Sequence, residues 1–246
     1  MSTVPALALF DLDGTLLPRD SDHAFGEFLV QRGWVSSDDF RRANDRFYAD
    51  YLEGRLDMTA YVDFATSAWR DRPEAEQQGV LAEFVDSVVR PMLHPAALEL
   101  VQRHRDAGER LALVTATNEF VTRPIAALFG IDTLIATELE RDAHGRVTGR
   151  IAGTPSFREG KIVRVQAWLA GLGTTLAAAP RCTFYSDSTN DLPLLEAASH
   201  PVATNPGAGL ARIAAERGWP LNHLFTSSRS SSSDTTARAT RLTPAP

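Results

Sequence analysis

The sequence predicts an α/β protein, in which a doubly wound parallel sheet carries a bundle of helices inserted after its first strand. After Pro91, short apolar runs alternate with amphipathic helical segments, the pattern of parallel strands joined by crossover helices. Between Ser21 and Arg90 the periodicity is helical, with no strand signal. With 246 residues, 43% of them hydrophobic and 23% charged, the chain suits one sizeable core and a smaller module.

The first strand is predicted over residues 4–10 and runs directly into a polar loop. Four helices follow in the insert, residues 19–90, which interrupts a core made of residues 1–18 and 91–225. Their ends are marked by Ser21 and Gly33 for the first helix, Ser36 or Ser37 and Gly54 for the second, Asp57 for the start of the third, and Pro91 for the end of the fourth.

After the insert, helices and strands are predicted to alternate. They are a helix over 95–107, a strand over 110–114, a helix over 119–129, a strand over 133–137, a hairpin over 140–152, a helix over 161–169, a strand over 182–185, a helix over 191–198 and a strand over 201–203. Leu98 and Val101 are expected to face inward from the first of these helices. Residues 226–246 are rich in Ser, Thr, Ala and Arg and are predicted to be disordered.

Composition excludes several classes of partner. The net charge of −6 provides no field that would hold nucleic acid or anionic lipid. No apolar run approaches the roughly 20 residues of a membrane span, and the first residues do not resemble a signal peptide. Cys182 is the only cysteine, so no intramolecular disulfide is expected. We therefore expect a cytoplasmic protein that acts on a small molecule, and the pattern does not specify its oligomeric state.

Polar residues follow three of the predicted strands at the edge where an open parallel sheet binds ligands. They are Asp11, Asp13, Gly14 and Thr15 after the first strand, Thr115, Thr117 and Asn118 after the second, and Asp187, Ser188, Asn190 and Asp191 after the Cys182 strand. Lys161 begins a helix between the last two groups. These side chains are expected to converge at one edge of the sheet.

Such a cluster of acids predicts a metal and phosphate site. Neighbouring carboxylates raise one another's pKa values unless a cation neutralises them, and oxygen ligands of this kind suit Mg²⁺. Thr115 and the amides that begin the following helix can hold an anion. Lys161 is the only lysine among 25 basic residues, which suggests a position where arginine would not serve; chance is the alternative explanation.

The spacing Asp11-Leu12-Asp13 allows two carboxylates to divide the labour of phosphoryl transfer. One can stay ionised and attack phosphorus. The other can protonate the departing oxygen and then accept a proton from water. Gly14 permits close approach of the backbone to the phosphate, where transition-state charge needs donors.

Four segments, taken in order, resemble the motifs of the haloacid dehalogenase superfamily. They are FDLDGTLL at 10–17, LVTATN at 113–118, Lys161, and YSDSTNDLPLL at 185–195. The helical insert resembles the cap of the subgroup that includes phosphoserine phosphatase. Ser186 and Ser188 flank Asp187 where many members have glycine; serine is small, so the metal site is still expected to form.

The resemblance implies a Rossmann-like core and a Mg²⁺-dependent phosphatase acting on a small phosphomonoester. It assigns the nucleophile to Asp11 and the acid/base to Asp13. It assigns phosphate binding to Gly14, Thr115, Ala116, Lys161 and Asn190, and Mg²⁺ to Asp11, Asp187 and the backbone carbonyl of Asp13. Asp191 is expected to hold Lys161 or a metal-bound water.

The loop after the first motif and the cap are expected to select the leaving group. Phosphoserine phosphatases carry an acid in this loop, for which Asp20 can stand, and a cap arginine that binds the substrate carboxylate. The position of that arginine falls at or near Ala65, and Arg70 and Arg72 are the nearest alternatives. Without the arginine, an amino-acid carboxylate would be poorly held.

Asp20 and Asp22, with Asp45 or Asp50, instead favour a cationic leaving group. The segments PRDSDHAFGEFLVQRG and NDRFYADYLEGRLD, with the second and fourth motifs, resemble proteobacterial histidinol-phosphate phosphatases of this cap subgroup. Histidinol carries an amine and an imidazole but no carboxylate. Histidinol phosphate is therefore the first hypothesis for the substrate, and phosphoserine is the second.

Three other functions compete with this hypothesis. A dehalogenase of the superfamily lacks the second acid of the first motif and needs no metal, so Asp13 and Asp187 argue against it. A phosphotransferase or mutase is compatible with the motifs. A phosphate-binding regulator would leave Asp13 and the cap without a task. The six histidines show no metal-ligand spacing.

Overall fold

The computed structural model describes residues 5–225, so the tail predicted to be disordered, residues 226–246, lies outside the described residues. The strands are β1 (Leu7–Phe10), β2 (Arg110–Asn118), β3 (Leu134–Thr137), β4 (Leu139–Arg141), β5 (Val147–Ile151), β6 (Cys182–Ser186), β7 (His200–Thr204) and β8 (Leu221–Asn222). Six of them form one parallel sheet in the order β3-β2-β1-β6-β7-β8, and β4 and β5 form an antiparallel hairpin. The chain leaves β1 towards β2 and later returns on its other side at β6. This switch point is where ligands of such sheets bind.

The helices are α1 (Ser21–Gln31), α2 (Ser37–Leu52), α3 (Met58–Ser67), α4 (Glu74–Phe84), α5 (Arg90–Met92), α6 (Pro95–Asp106), α7 (Glu119–Leu128), α8 (Glu159–Gly171), α9 (Leu192–Ala197) and α10 (Ala208–Arg217). Between α4 and α5 the chain forms a π-helical segment, Val85–Val89, and Thr189–Asp191 is a 3-10 turn. The described chain between β1 and α5 contains helices and no strand of either sheet. The predicted class, a doubly wound parallel sheet with a helical insert, is confirmed.

The first helix is capped one residue earlier than predicted. Asp20, not Ser21, is the N-cap of α1, and its Oδ1 accepts a hydrogen bond from the amide of His23 at 2.7 Å. Ser21 is instead the first helical residue. Asp57 caps α3 as predicted and accepts hydrogen bonds from the amides of Thr59 and Ala60. A carboxylate at the N-cap is also stabilised by the positive end of the helix dipole.

The fourth helix does not stop before Pro91, so that prediction is wrong. The chain continues through the π-helical segment into α5, and the amide of Arg90 donates to the carbonyl of Val85, five residues back. Proline has no amide hydrogen and crowds the preceding turn of an α-helix. A π turn widens the helix at this point and lets the chain pass the proline without ending.

Three smaller differences concern the core. The strand β2 continues to Asn118, beyond the predicted end at residue 114. Leu98 is 37% exposed, whereas Val101 is buried as predicted, because α6 turns Ala97, Leu100 and Val101 inward. The helix α10 and the two-residue strand β8 were not predicted; β8 is too short to show a period.

Apolar packing joins the helical insert to the sheet. Trp69, at the end of α3, is 1% exposed and stacks on Phe120 of α7, with ring centroids 4.0 Å apart. Phe25 of α1 contacts both Phe84 and Phe120. This cluster holds the insert over the carboxyl edge of the sheet. None of the helices in the described part of the chain has the length and apolar character that a membrane span needs.

Candidate active site

A buried lysine lies between two buried aspartates at the end of β1. The amide of Asp11 donates to the carbonyl of Tyr185 at 2.9 Å, so Asp11 extends the pairing of β1 with β6. Lys161 Nζ donates to Asp11 Oδ1 at 2.8 Å and to Asp191 Oδ2 at 2.7 Å. All three residues are at most 2% exposed. Ser186 Oγ donates to Asp191 Oδ2 at 2.7 Å and completes the group.

This group contains two carboxylates but only the one cation of Lys161. Burial lowers the pKa of Lys161, but the carboxylates of Asp11 and Asp191 outweigh it and raise that pKa above its ordinary value. Burial raises the pKa of Asp191 to about 6, although Lys161 opposes the rise. Lys161 therefore stays protonated at neutral pH, and this one cation serves two carboxylates.

Asp187 follows β6 and faces the loop after β1. The Thr15 hydroxyl lies 3.3 Å from Asp11 Oδ2 and 3.2 Å from Asp187 Oδ1, and it accepts a hydrogen bond from the amide of Asp187. Gly14 has φ +78°, and a Cβ there would collide with the Asp187 carboxylate. Only glycine fits, because the conformation is left-handed and the carboxylate occupies the space of a side chain. Asn205, after β7, donates to the carbonyls of Gly14 and Thr15.

The acids outnumber the cations at this edge. Burial and the charges of Asp11 and Asp191 raise the pKa of Asp187 well above its ordinary value. Among the described residues, Lys161 is the only basic side chain that forms an ion pair with Asp11, Asp13, Asp187 or Asp191. Unneutralised carboxylate oxygens are a donor set that fits Mg²⁺. The residues present thus fit the predicted metal ion, whose binding by Asp11, Asp13 and Asp187 stays a prediction.

Asp13 is fixed by the insert on one side and by the sheet on the other. Its Oδ1 accepts a hydrogen bond from the amide of Ser21 at 2.8 Å, and its Oδ2 accepts one from Thr117 Oγ1 at 2.9 Å. Burial, then the charges of Asp20 and Asp11, raise the pKa of Asp13 well above its ordinary value. A protonated carboxyl group at this position suits proton donation. The contacts of Ser21 and Thr117 with Asp13 had not been predicted: Ser21 was expected only to cap the first helix, and Thr117 was placed only among the polar residues after the second strand.

Thr115 and Ala116 lie at the same end of β2. Thr115 is 1% exposed, and its Oγ1 accepts a hydrogen bond from the amide of Thr117 at 3.2 Å. The carbonyl of Ala116 accepts from Thr137 Oγ1 at 2.8 Å. These bonds fix the turn into α7. Thr115 and Ala116 therefore lie on β2, the strand beside β1, and their contacts with phosphate stay a prediction.

A pocket opens beside Asp13, between α1, α2, α3 and the end of β2. Its lining includes Asp20 and Asp22, the rings of Phe47, Tyr48, Tyr51 and Tyr61, and Ala116 and Thr117. Burial raises the pKa of Asp20 to about 7 and that of Asp22 to about 6. Asn118 Nδ2 is 3.5 Å from both carboxylate oxygens of Asp22. No lysine or arginine is among the described residues that line this pocket.

The other predicted specificity residues lie elsewhere. Arg70 pairs with Asp63 at 2.6 Å, and the Arg72 guanidinium lies over the ring of Trp34 at 4.1 Å. Asp50 pairs with Arg55 at 3.1 Å. None of these arginines is among the residues that line the pocket.

Asp45 belongs to a small cluster at the outer side of the pocket. Its Oδ1 is 2.8 Å from Nε2 of His23, which lines the pocket. His23, Glu27 and Asp45 offer ligand atoms within 4.8 Å of one another, close enough to hold a metal ion. The sequence spacing of the histidines did not predict this arrangement.

Asn190 is held by the helical insert. It is buried, and its Nδ2 donates to the backbone carbonyl of Tyr51 at 2.9 Å. This contact crosses from the loop after β6 to the end of α2. The predicted part of Asn190 in phosphate binding stays a prediction.

Comparison with known proteins identifies the family. The profile of the haloacid dehalogenase-like hydrolases matches residues 8–196. The chain belongs to this family. A protein named histidinol-phosphatase from Neisseria meningitidis serogroup C is 43% identical over 215 residues, which cover 87% of this chain and 97% of the relative. A phosphoserine phosphatase from Mycobacterium tuberculosis is 33% identical over 219 residues, covering 88% and 70%.

A crystal structure from Bordetella pertussis Tohama I, of a protein with unknown function, is 48% identical and has a TM-score of 0.85. The match covers 91% of this chain and 100% of that one. This haloacid dehalogenase-like hydrolase is a phosphatase.

Replacing Lys161 should damage both stability and activity. Lys161→Met leaves Asp11 and Asp191 buried without their cation, and breaking a buried pair costs about 3–5 kcal/mol of unfolding free energy. Lys161→Arg should not rescue activity, because the side chain is 1% exposed and a planar guanidinium needs more room. Urea denaturation and phosphate release measure the two effects.

The matched control is Arg212→Ala, which removes an exposed ion pair to Glu216 and should cost less than about 1 kcal/mol. Wild-type stability and turnover in Lys161→Met would contradict the arrangement of charges described above.

Proposed function

We propose that this phosphatase hydrolyses histidinol phosphate, with Mg²⁺, through an aspartyl-phosphate on Asp11. The carrying observation is the pocket beside Asp13, which offers two acids and the rings of one phenylalanine and three tyrosines but no described lysine or arginine. An ammonium group can pair with Asp20 or Asp22, and an imidazole ring can stack on the tyrosines. The name of the Neisseria relative, histidinol-phosphatase, supports the same substrate.

The chemistry divides between the two aspartates after β1. Asp11 attacks phosphorus through a carboxylate oxygen, and the bond from phosphorus to the ester oxygen breaks. Asp13, whose pKa is raised by burial and by the charges of Asp20 and Asp11, gives its proton to that oxygen, so histidinol leaves neutral at the new hydroxyl. Asp13 then accepts a proton from a water molecule that attacks phosphorus, the bond from phosphorus to the Asp11 oxygen breaks, and inorganic phosphate leaves while Asp11 returns to a free carboxylate.

The neighbouring residues hold this pair in place. Lys161 binds Asp11 Oδ1 and orients the carboxylate, and its charge favours the approach of an anionic phosphate. Thr117 and the amide of Ser21 hold the two oxygens of Asp13. When bound, Mg²⁺ would be held by Asp11, Asp187 and the carbonyl of Asp13, and would supply positive charge for the phosphoryl oxygens.

Phosphoserine is the second candidate substrate. The Mycobacterium relative named phosphoserine phosphatase and the presence of Asp20 favour it. Its carboxylate, however, would enter a pocket that contains two acids and no described arginine. Transfer of the phosphoryl group to an alcohol in place of water also fits the same residues. A cytoplasmic location stays a prediction.

Side-by-side phosphate release from histidinol phosphate and phosphoserine tests the substrate, with Mg²⁺ and with a chelator. Histidinol phosphate should be turned over with the higher kcat/KM, and the chelator should abolish release of phosphate. Faster turnover of phosphoserine would reverse the order of the two substrates. Addition of small alcohols distinguishes a transferase, since transfer would lower the phosphate released per leaving group.

Asp11→Asn should abolish turnover, and Asp13→Asn should lower it by about a hundredfold or more, the usual contribution of general acid/base catalysis. Because Asp13 acts on the leaving oxygen, its loss should matter less for p-nitrophenyl phosphate, whose leaving group needs little protonation. Steady-state rates with both substrates measure this difference, and circular dichroism checks the fold. A normal rate in either variant would rule out the assigned mechanism.

Asp22→Asn should weaken the use of histidinol phosphate in a pH-dependent way. Asp22 has a raised pKa of about 6, so it is neutral below that pH and ionised above it. At pH 8, kcat/KM should fall about tenfold or more, since a charged hydrogen bond is lost. At pH 5 wild type and variant should converge, because neither carries the charge.

The ratio of the kcat/KM of wild type to that of Asp22→Asn cancels the effect of substrate ionisation, because that effect is the same for both enzymes. The other titratable groups that face Asp22 are Asp20, Asp13, Tyr61 and His23, and all remain in the variant. A ratio that stays constant from pH 5 to 8 would show that the charge of Asp22 does not bind the leaving group.

A further inference from the structure

Two side chains from outside the helical insert hold the C-terminal end of α2 at the rim of the pocket. Asn190 Nδ2 donates to the carbonyl of Tyr51 at 2.9 Å, and Arg158 Nη2 donates to the carbonyl of Gly54. The two bonds join parts of the chain 139 and 104 residues apart. The carbonyl of Tyr51 also accepts a hydrogen bond from the amide of Gly54 at 3.0 Å, so Asn190 adds a second bond there, and Arg158 binds a carbonyl just beyond the end of α2.

The absence of a side chain at Gly54 leaves room for the side chains of Arg158 and Asn190. Gly54 has φ +68°, and a Cβ there would lie 2.6 Å from Arg158 Nη2 and 3.2 Å from Asn190 Oδ1. A side chain at this position would strain the backbone and displace the guanidinium. The end of α2 is therefore fitted to Arg158 and Asn190.

Arg158 also has an unusual backbone. Its φ of +51° and ψ of −123° lie in a region that costs a residue other than glycine about 1–3 kcal/mol. Strain of this kind persists only where the surrounding structure enforces it. The residue precedes α8 directly, and its carbonyl accepts a hydrogen bond from the amide of Lys161 at 3.0 Å.

The helix that these bonds hold forms one wall of the pocket. Asn44, Phe47, Tyr48 and Tyr51, all in α2, line it. Arg158 stands three residues before Lys161, and Asn190 stands three residues after Asp187. The wall that faces the leaving group is thus tied to the two loops that flank the phosphate site.

We infer that Arg158 and Asn190 are positioning residues, which hold α2 as the wall over the leaving group while the phosphate is bound. The inference rests on the proposed function only in placing the leaving group in this pocket. Arg158 is the residue to test, because Asn190 is also a predicted phosphate ligand. Arg158→Gln removes the charged donor, and Arg158→Gly removes it while accepting the left-handed backbone.

The first measurement is hydrogen exchange, which needs no substrate. In both Arg158 variants, amide exchange over residues 51–56 should become faster, while exchange in β1 and β2 stays as in wild type. The second is steady-state kinetics. KM for histidinol phosphate should rise about tenfold, the effect of one charged hydrogen bond. The kcat/KM for acetyl phosphate, which is too small to reach α2, should not change.

Arg164→Gln is the matched control, because Arg164 lies in the helix that Arg158 precedes and also donates to a carbonyl, that of Thr154, while its other partner is Glu138, outside the insert. It should leave both measurements as in wild type. Unchanged exchange over 51–56 in the Arg158 variants would overturn the inference, and so would faster exchange with an unchanged KM. If wild type rejects histidinol phosphate, the proposed substrate fails, and the same two measurements are made with the phosphomonoester that it hydrolyses fastest.

Discussion

Carboxylates that are largely removed from water meet at the end of β1, and their charge governs the arrangement around them. Asp11 and Asp191 share the single cation of Lys161, which reaches both at hydrogen-bond distance. Ionised carboxylates are costly to bury unless they are paired. Lysine suits this place because a compact ammonium on a flexible stem fits between two acids, whereas a planar guanidinium needs a wider fork. Among the described residues, Asp13 and Asp187 have no such partner, and a divalent ion would relieve this shortage of positive charge and attract a phosphate.

The first turn of α1 connects this charged edge to the pocket. Ser21 holds Asp13 through its amide, and the two acids of the pocket, Asp20 and Asp22, are its immediate neighbours in the chain. Asp20 in turn caps the helix. The groups proposed to bind the leaving group thus lie in the same turn whose backbone amide holds Asp13, the group proposed to protonate the leaving oxygen. A change in this turn would alter recognition and catalysis together.

Much of this could be predicted from the sequence because the signals are local. The alternation of apolar runs and helices identified the sheet, and the residues after each run identified the acids at its edge. Partners across the chain could not be predicted. The contact of Thr117 with Asp13 joins the ends of two neighbouring strands, and that of Asn190 with Tyr51 depends on how the insert sits on the sheet. The prediction that the fourth helix ends before Pro91 was wrong, because a π turn leaves no periodic pattern in the sequence that distinguishes it from the end of a helix.

The distribution of charge within the site argues for its substrate. At the phosphate end, Lys161 and the expected Mg²⁺ attract an anion. At the other end, Asp20 and Asp22 raise the cost of any negative group on the leaving alcohol. Specificity in such a site comes as much from repulsion as from attraction. Histidinol phosphate has its negative charge only on the phosphate and its positive charge on the leaving group, so it matches both ends. Phosphoserine matches one end through its amine but places a carboxylate beside two acids, with no described arginine in the pocket to receive it.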